Sequence, residues 1–85
     1  MAIDVDLVIR RVLTEHAKLV VDVSDVHDDD DLQRLGLSSH ALVSVMLGLE
    51  DDLGVEFPDE MLNKATFASV ATIRYAVVSL AGRSG

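Results

Sequence analysis

The sequence predicts an all-α fold, a small four-helix bundle with three longer helices and one short one. Three observations carry this: apolar residues recur three and four positions apart in three separate stretches, no stretch alternates usefully as a strand would, and the only proline lies between two of the helical patterns. The chain of 85 residues is expected to form one domain over 1–85, with an ordered core of about 3–81 and a loose tail at 82–85. It is 49% hydrophobic but only 4% aromatic, which points to an aliphatic core. A chain this short leaves no room for a separate substrate domain, and an enzyme with its own deep pocket is not expected.

The first pattern runs from residue 3 to about 21. Val5, Val8, Ile9, Val12, Leu13, His16 and Leu19 share one side of a helix, while Asp4, Arg10, Arg11, Thr14 and Lys18 fall elsewhere. No second ligand stands at helical spacing from His16, so a packed or edge-of-core histidine is the better reading than a metal ligand. His27 and His40 likewise lack companions, and no metal site is expected.

A long connection follows over 22–37, acidic in the middle and apolar at both ends. Val23, Val26, Leu32, Leu35 and Leu37 are expected to pin it to the bundle, since loops of this length are uncommon unless tied down. The aspartates at 28–31 lack the spaced oxygens and central glycine of a calcium loop. They read as a solvated acidic loop with at most weak ion association.

The central stretch opens at Gly36, where a turn delivers Ser38 and Ser39 to the start of a second helix. Leu42, Val45, Met46, Leu49 and Leu53 form its inner stripe and Gly54 its stop. Ser38 is the natural cap, its hydroxyl accepting a backbone N–H that would otherwise be orphaned. Ser39 then occupies the first helical position, near the surface and at the positive end of the helix dipole, where a phosphate would find free amides. On the outer face, Val43 and Leu47 join His40, Ser44, Glu50 and Asp51 in a small patch suited to docking a partner. Beyond Gly54, Val55 to Phe57 should be extended, and Pro58 should open a short helix reaching about Asn63. Phe57, Met61 and Leu62 are expected to close one side of the core. Ser69 caps the last helix, whose inner stripe is Val70, Ile73, Ala76, Val77 and Leu80, with Gly82 as its stop.

The formal charge of −8 leaves no basic stripe for nucleic acid, so basic protein surfaces are the natural partners. There is no cysteine, and any thioester chemistry needs a thiol from a prosthetic group. The acidic first residues do not resemble a signal peptide and no apolar run approaches a membrane span. A cytoplasmic protein with no membrane partner is the expectation. A serine nucleophile would sit in a Gly-x-Ser-x-Gly elbow, but Leu37 and Ala41 flank Ser39 at the glycine positions.

The span 35–60, LGLSSHALVSVMLGLEDDLGVEFPDE, resembles the signature of acyl and peptidyl carrier proteins, in which Leu-Gly-x-Asp-Ser-Leu precedes an amphipathic helix and a Gly-Ile/Val-x-Phe/Ile-Pro-Asp-Glu segment follows it. The resemblance implies a four-helix carrier bundle and a phosphopantetheine arm covalently attached to Ser39, whose thiol carries acyl or aminoacyl groups as thioesters. Ser38 replaces the family's aspartate and His40 its leucine. The implied partners are a phosphopantetheinyl transferase, a loading enzyme and a downstream acceptor enzyme, with the carrier itself non-catalytic; a shuttle of this kind works most simply as a monomer.

Fatty-acid carriers place acids near the start of this helix; here Ser38, Ala41 and Ser44 stand in those positions. The run Gly-Leu-Ser-Ser with Met-Leu-Gly-Leu-Glu and Val-Glu-Phe-Pro-Asp is similar to freestanding carriers of soil and plant-associated bacteria. Those accept glycine or alanine from ligases resembling truncated class II seryl-tRNA synthetases. A conventional acyl carrier of a fatty-acid, lipid or polyketide pathway and an unmodified acidic interaction domain are the alternatives.

Overall fold

The computed structural model describes residues 4–83, the last of these by its backbone alone. Its described elements are α1 (Val5–His16), α2 (Ser39–Leu53) and α3 (Val70–Arg83), with single 3-10 turns at Val23–Asp25 and Asp59–Met61 and no strand. The short fourth helix expected from Pro58 to Asn63 is therefore one 3-10 turn, and Pro58 precedes it in an extended conformation instead of occupying its first position.

α1 packs against both α2 and α3. Ile9, Val12 and Leu13 face the core from α1, Leu42, Val45 and Leu49 from α2, and Val70, Ile73 and Val77 from α3, all in the stripes that the periodicity marks. Phe57, leaving α2, and Phe67, entering α3, meet with ring centroids 5.6 Å apart and tilted by 38°, a favourable aromatic geometry. Leu62 is exposed and contributes nothing to this side of the core, whereas Met61 is half-buried as expected.

α1 is shorter than its apolar pattern. It ends at His16, and Lys18 takes a left-handed conformation at φ 52°. The reason is tertiary: the chain turns so that Val20 N–H can donate to Leu35 C=O at 2.8 Å, joining the end of α1 to the segment that enters α2. His16 is consequently exposed at the last turn, not inside the stripe. At the other end of the chain, α3 continues through Gly82 to Arg83, because a glycine stops a helix only when it turns left-handed itself, and Gly82 does not. The expected start at Ile3 and the tail residues Ser84 and Gly85 lie outside the described residues.

The connection between α1 and α2 is tied down along its length. Val23, Val26, Leu32 and Leu37 are buried and Leu35 is half-buried, as the sequence indicates. Leu32 N–H donates to Ala68 C=O at 2.8 Å, and Ala71 N–H donates to Asp28 C=O at 2.9 Å, so the loop is stitched to the entry of α3. Arg10 donates to the carbonyls of Val23 and Val26 at 3.2 and 2.7 Å and to the Asp28 carboxylate at 2.9 Å. Arg74 of α3 reaches Asp28 and Asp6 from the other side. The acidic run is thus not simply solvated: Asp28 pairs two arginines, Asp30 accepts from His27 N–H and Asp31 from Gln33 N–H.

Arg10, and after it Arg74, hydrogen-bond the Asp28 carboxylate and hold its pKa below the ordinary value. A carboxylate depressed in the folded state adds stability above its ordinary pKa of about 4, and that contribution disappears as pH falls through the folded value. Asp28→Asn should therefore lower the unfolding midpoint at pH 6, and its deficit relative to the parent should shrink below about pH 4. Thermal unfolding of both proteins across that range checks this; a deficit that stays constant with pH would contradict it.

Candidate functional site

The start of α2 is built as the local sequence dictates. Ser38 is extended (φ −80°, ψ 164°), its hydroxyl accepts from Ala41 N–H at 3.1 Å, and its carbonyl accepts from Leu42 N–H at 2.9 Å. Ser39 follows as the first helical residue. It is exposed, and its hydroxyl makes no hydrogen bond within the described residues. With the Ala41 and Leu42 amides engaged, those of Ser39 and His40 are left to solvent at the positive end of the helix dipole. Gly36, just upstream, sits at φ 113°, where a side chain would be strained; it sets the turn that brings Leu37 inward and Ser38 outward.

The far end of α2 is equally defined. Gly54 adopts φ 66° and donates its N–H to Glu50 C=O, a left-handed cap that few other residues tolerate. The Glu50 carboxylate accepts from Phe57 N–H at 2.8 Å, fastening the segment after α2 back onto the helix. That role was not legible, because nothing in the spacing of Glu50 distinguishes it from Asp51. Arg11 of α1 bonds Asp52 at 3.1 Å, locking α1 to the same end of α2.

The outer face of α2 carries the expected patch. His40, Val43 and Leu47 are exposed, Leu47 by 54%, and Ser44 is half-buried beside them. Two other serines are unlike Ser39: Ser38 is committed to the cap, and Ser69 is buried in a reciprocal pair with Thr72, each hydroxyl accepting from the other residue's N–H. No group of three His, Asp or Glu converges among the described residues, and no described helix is long and apolar enough to cross a membrane.

A helical carrier-type domain with a bare serine at the head of its second helix is the class that fold and site define. Comparison with known families agrees: residues 8–73 match the family described as "Phosphopantetheine attachment site", and the chain belongs to that family. Membership brings a phosphopantetheine group held covalently on a serine. The chain is 42% identical over 69 residues to an aminoacyl carrier protein of Agrobacterium fabrum (strain C58 / ATCC 33970), covering 81% of this chain and 83% of that protein. It superposes with a TM-score of 0.85 and 39% identity, over 88% of this chain and 97% of the other, on a chain in the crystal structure of an engineered Bradyrhizobium japonicum glycine:[carrier protein] ligase complexed with a carrier protein from Agrobacterium tumefaciens and ATP. The solution structure of ATC2521 from Agrobacterium tumefaciens matches with a TM-score of 0.72 and 39% identity over 93% of this chain and 96% of that one.

Removing the Ser38 cap should cost about 1 kcal/mol. For a domain of this size that corresponds to a fall of roughly 4–8 °C in the unfolding midpoint of Ser38→Ala. Ser38→Asp, which restores a capping acceptor and complements the dipole, should unfold near the parent's midpoint. A Ser38→Ala midpoint equal to the parent's would show that the cap contributes nothing.

Proposed function

We propose that Ser39 carries the phosphopantetheine arm through a phosphodiester, and that the arm holds glycine or alanine as a thioester. The observation that carries this reading is the exposed, unengaged Ser39 hydroxyl beside two free amides at the start of α2. The unpaired amides and the helix dipole suit the phosphate that the arm brings. When bound, the group supplies the thiol that this cysteine-free chain lacks. The chain's own residues present and orient it: Ser38 holds the helix start rigid, and the buried inner stripe of α2 fixes the direction in which Ser39 faces.

No general base among the described residues hydrogen-bonds Ser39. His40 is its sequence neighbour, and adjacent residues on a helix do not face one another. The chain is accordingly a non-catalytic substrate of its partners, which are a phosphopantetheinyl transferase supplying base and metal, an amino acid:carrier protein ligase, and a downstream acceptor enzyme. It works in the cytoplasm, as a monomer. Support for the aminoacyl cargo comes from the likeness to a carrier protein complexed with a glycine:[carrier protein] ligase and from the small residues that replace acids around Ser39. His40, Val43, Ser44 and Leu47 form the face on which the ligase seats.

Coexpression with a phosphopantetheinyl transferase should add the mass of one phosphopantetheine group to the parent and to Ser38→Ala, and none to Ser39→Ala, as read by intact mass spectrometry. A gain that survives in Ser39→Ala would overturn the assignment. The modified protein should then be charged by a glycine:[carrier protein] ligase, whereas efficient malonyl loading and elongation by fatty-acid synthase enzymes would favour a conventional acyl carrier. Leu47→Ser should lower kcat/KM for charging about tenfold, the equivalent of about 1.4 kcal/mol, with an unchanged unfolding midpoint. Charging at the parent's rate would remove Leu47 from the docking face.

A further inference from the structure

Lys18 occupies a position that ordinarily belongs to glycine. It directly follows the Ala17 cap of α1, where the chain turns left-handed at φ 52°, and a side chain there costs stability that glycine does not. The pairing of Val20 with Leu35 explains the turn; it does not explain the lysine. Arg10, Arg11 and Arg74 are all engaged with carboxylates, but the Lys18 ammonium has no partner among the described residues. Nothing within the described fold offsets the strain of placing a lysine there.

Lys18 lines a pocket of about 340 Å³ at the head of the seam between α1 and α2, together with His16, Ser38, His40 and Ser44. A second pocket continues the seam along α2 to Glu50, Asp51 and Asp52. Glu15, His16 and Ser44 border both, whereas Lys18 and His40 belong to the head alone and the three acids of α2 to the far end alone. The seam therefore changes sign along its length. At about 1.5 Å per residue, His40 and Asp51 stand about 16 Å apart along α2, or about two screening lengths at physiological salt, so the far acids do not cancel the charge at the head. Glu15, the one carboxylate lining the head pocket, is exposed and forms no ion pair with Lys18.

We propose that the head pocket is a socket for a carboxylate on the surface of the amino acid:carrier protein ligase, anchored by Lys18 with the imidazoles of His16 and His40 beside it. The socket rests on the aminoacyl-carrier reading of Ser39 and specifies one contact of that complex. It shares His40 and Ser44 with the face on which the ligase seats, so a partner covering Val43 and Leu47 has an edge over the pocket. A lysine on an exposed rim acts as a point charge that favours approach and orientation more than affinity. Orientation is what the apolar patch by itself leaves open. A ligase that presents an acid to the head and a base to the far end fits one way round, and the reversed pose sets like charges against each other.

The test uses the full chain bearing the arm on Ser39, confirmed by intact mass for each variant, and a glycine:[carrier protein] ligase. Lys18→Gln keeps the backbone strain and removes the charge; it should raise KM for charging about threefold with kcat unchanged, and Lys18→Glu should raise KM about tenfold. Lys18→Arg should keep the parent's KM. Lys18→Gly should lose as much as Lys18→Gln while unfolding at or above the parent's midpoint, which separates a lost contact from a damaged fold. A water-soluble carbodiimide condenses an amine with a carboxylate that touches it, and should join Lys18 Nζ to an aspartate or glutamate of the ligase as an amide. A parent-like KM in Lys18→Gln and Lys18→Glu, a lower KM in Lys18→Glu, or no cross-link at Lys18 would overturn the socket. A parent protein that bears the arm and is not charged at all overturns the aminoacyl reading and the socket with it, whereas normal charging that is indifferent to Lys18 overturns the socket alone.

Discussion

The anchoring of the long connection between α1 and α2 is the constraint on which the site depends. Leu32 is wholly buried in a stretch with no helix of its own, and its N–H donates to Ala68 C=O at the entrance to α3. Five residues on, Leu37 enters the same core and donates back to Leu32 C=O. The chain can leave Leu37 in only one direction, and Ser38 is therefore presented at a fixed place. A capped helix start is cheap to specify by local sequence, but its position relative to the rest of a small domain is not. Here a tethered loop supplies that position, through apolar burial at its ends and arginine pairing at its acidic centre.

That division explains what could be read from the sequence. Both ends of α2 were legible because each is set by residues within a few positions: Ser38 offers an acceptor to Ala41, and Gly54 alone accepts the left-handed turn that ends the helix. The inner stripes of all three helices were legible for the same local reason. The end of α1 was not, since its apolar pattern runs on to Leu19, while the helix stops at His16 to let Val20 pair with Leu35 from another segment. The acidic run at 28–31 read as solvent-facing because its partners are distant in sequence: Arg10 lies 18 residues away from Asp28 and Arg74 lies 46 away. Gly82 was misread because glycine permits a stop without requiring one. In the site itself, Ser38, Ser39, Val43 and Leu47 stand where periodicity put them, whereas the exposure of His16 follows from the early end of α1.

The acidic residues fall into two groups with opposite consequences. Asp6, Asp28, Asp52 and Glu50 are engaged with arginines or a backbone amide and hold elements together. The charges of the three aspartates are largely offset by their arginines, so they add little to the field a partner meets. Glu15 and Asp51 are unpaired and line the seam beside α2. A net charge of −8 thus overstates the acidity available for recognition around Ser39, and the surface nearest that serine is made of small, apolar and imidazole side chains.

This distribution bears on partner choice. A carrier whose second helix begins with acids attracts basic enzyme surfaces at long range, and its association rate falls steeply with salt. With Ser38, Ala41 and Ser44 at the head of α2, long-range steering is weaker, and under the proposed docking role contact specificity rests on the fit of Val43 and Leu47 against an apolar partner surface. Discrimination then has two components. A partner lacking a matching apolar contact gains little by approaching, and one that expects acids near the serine finds none to pair with its own cations, which are left desolvated at a cost. With the arm on Ser39 as proposed, the absence of acids beside it is as selective as their presence would be, directed towards a different set of enzymes.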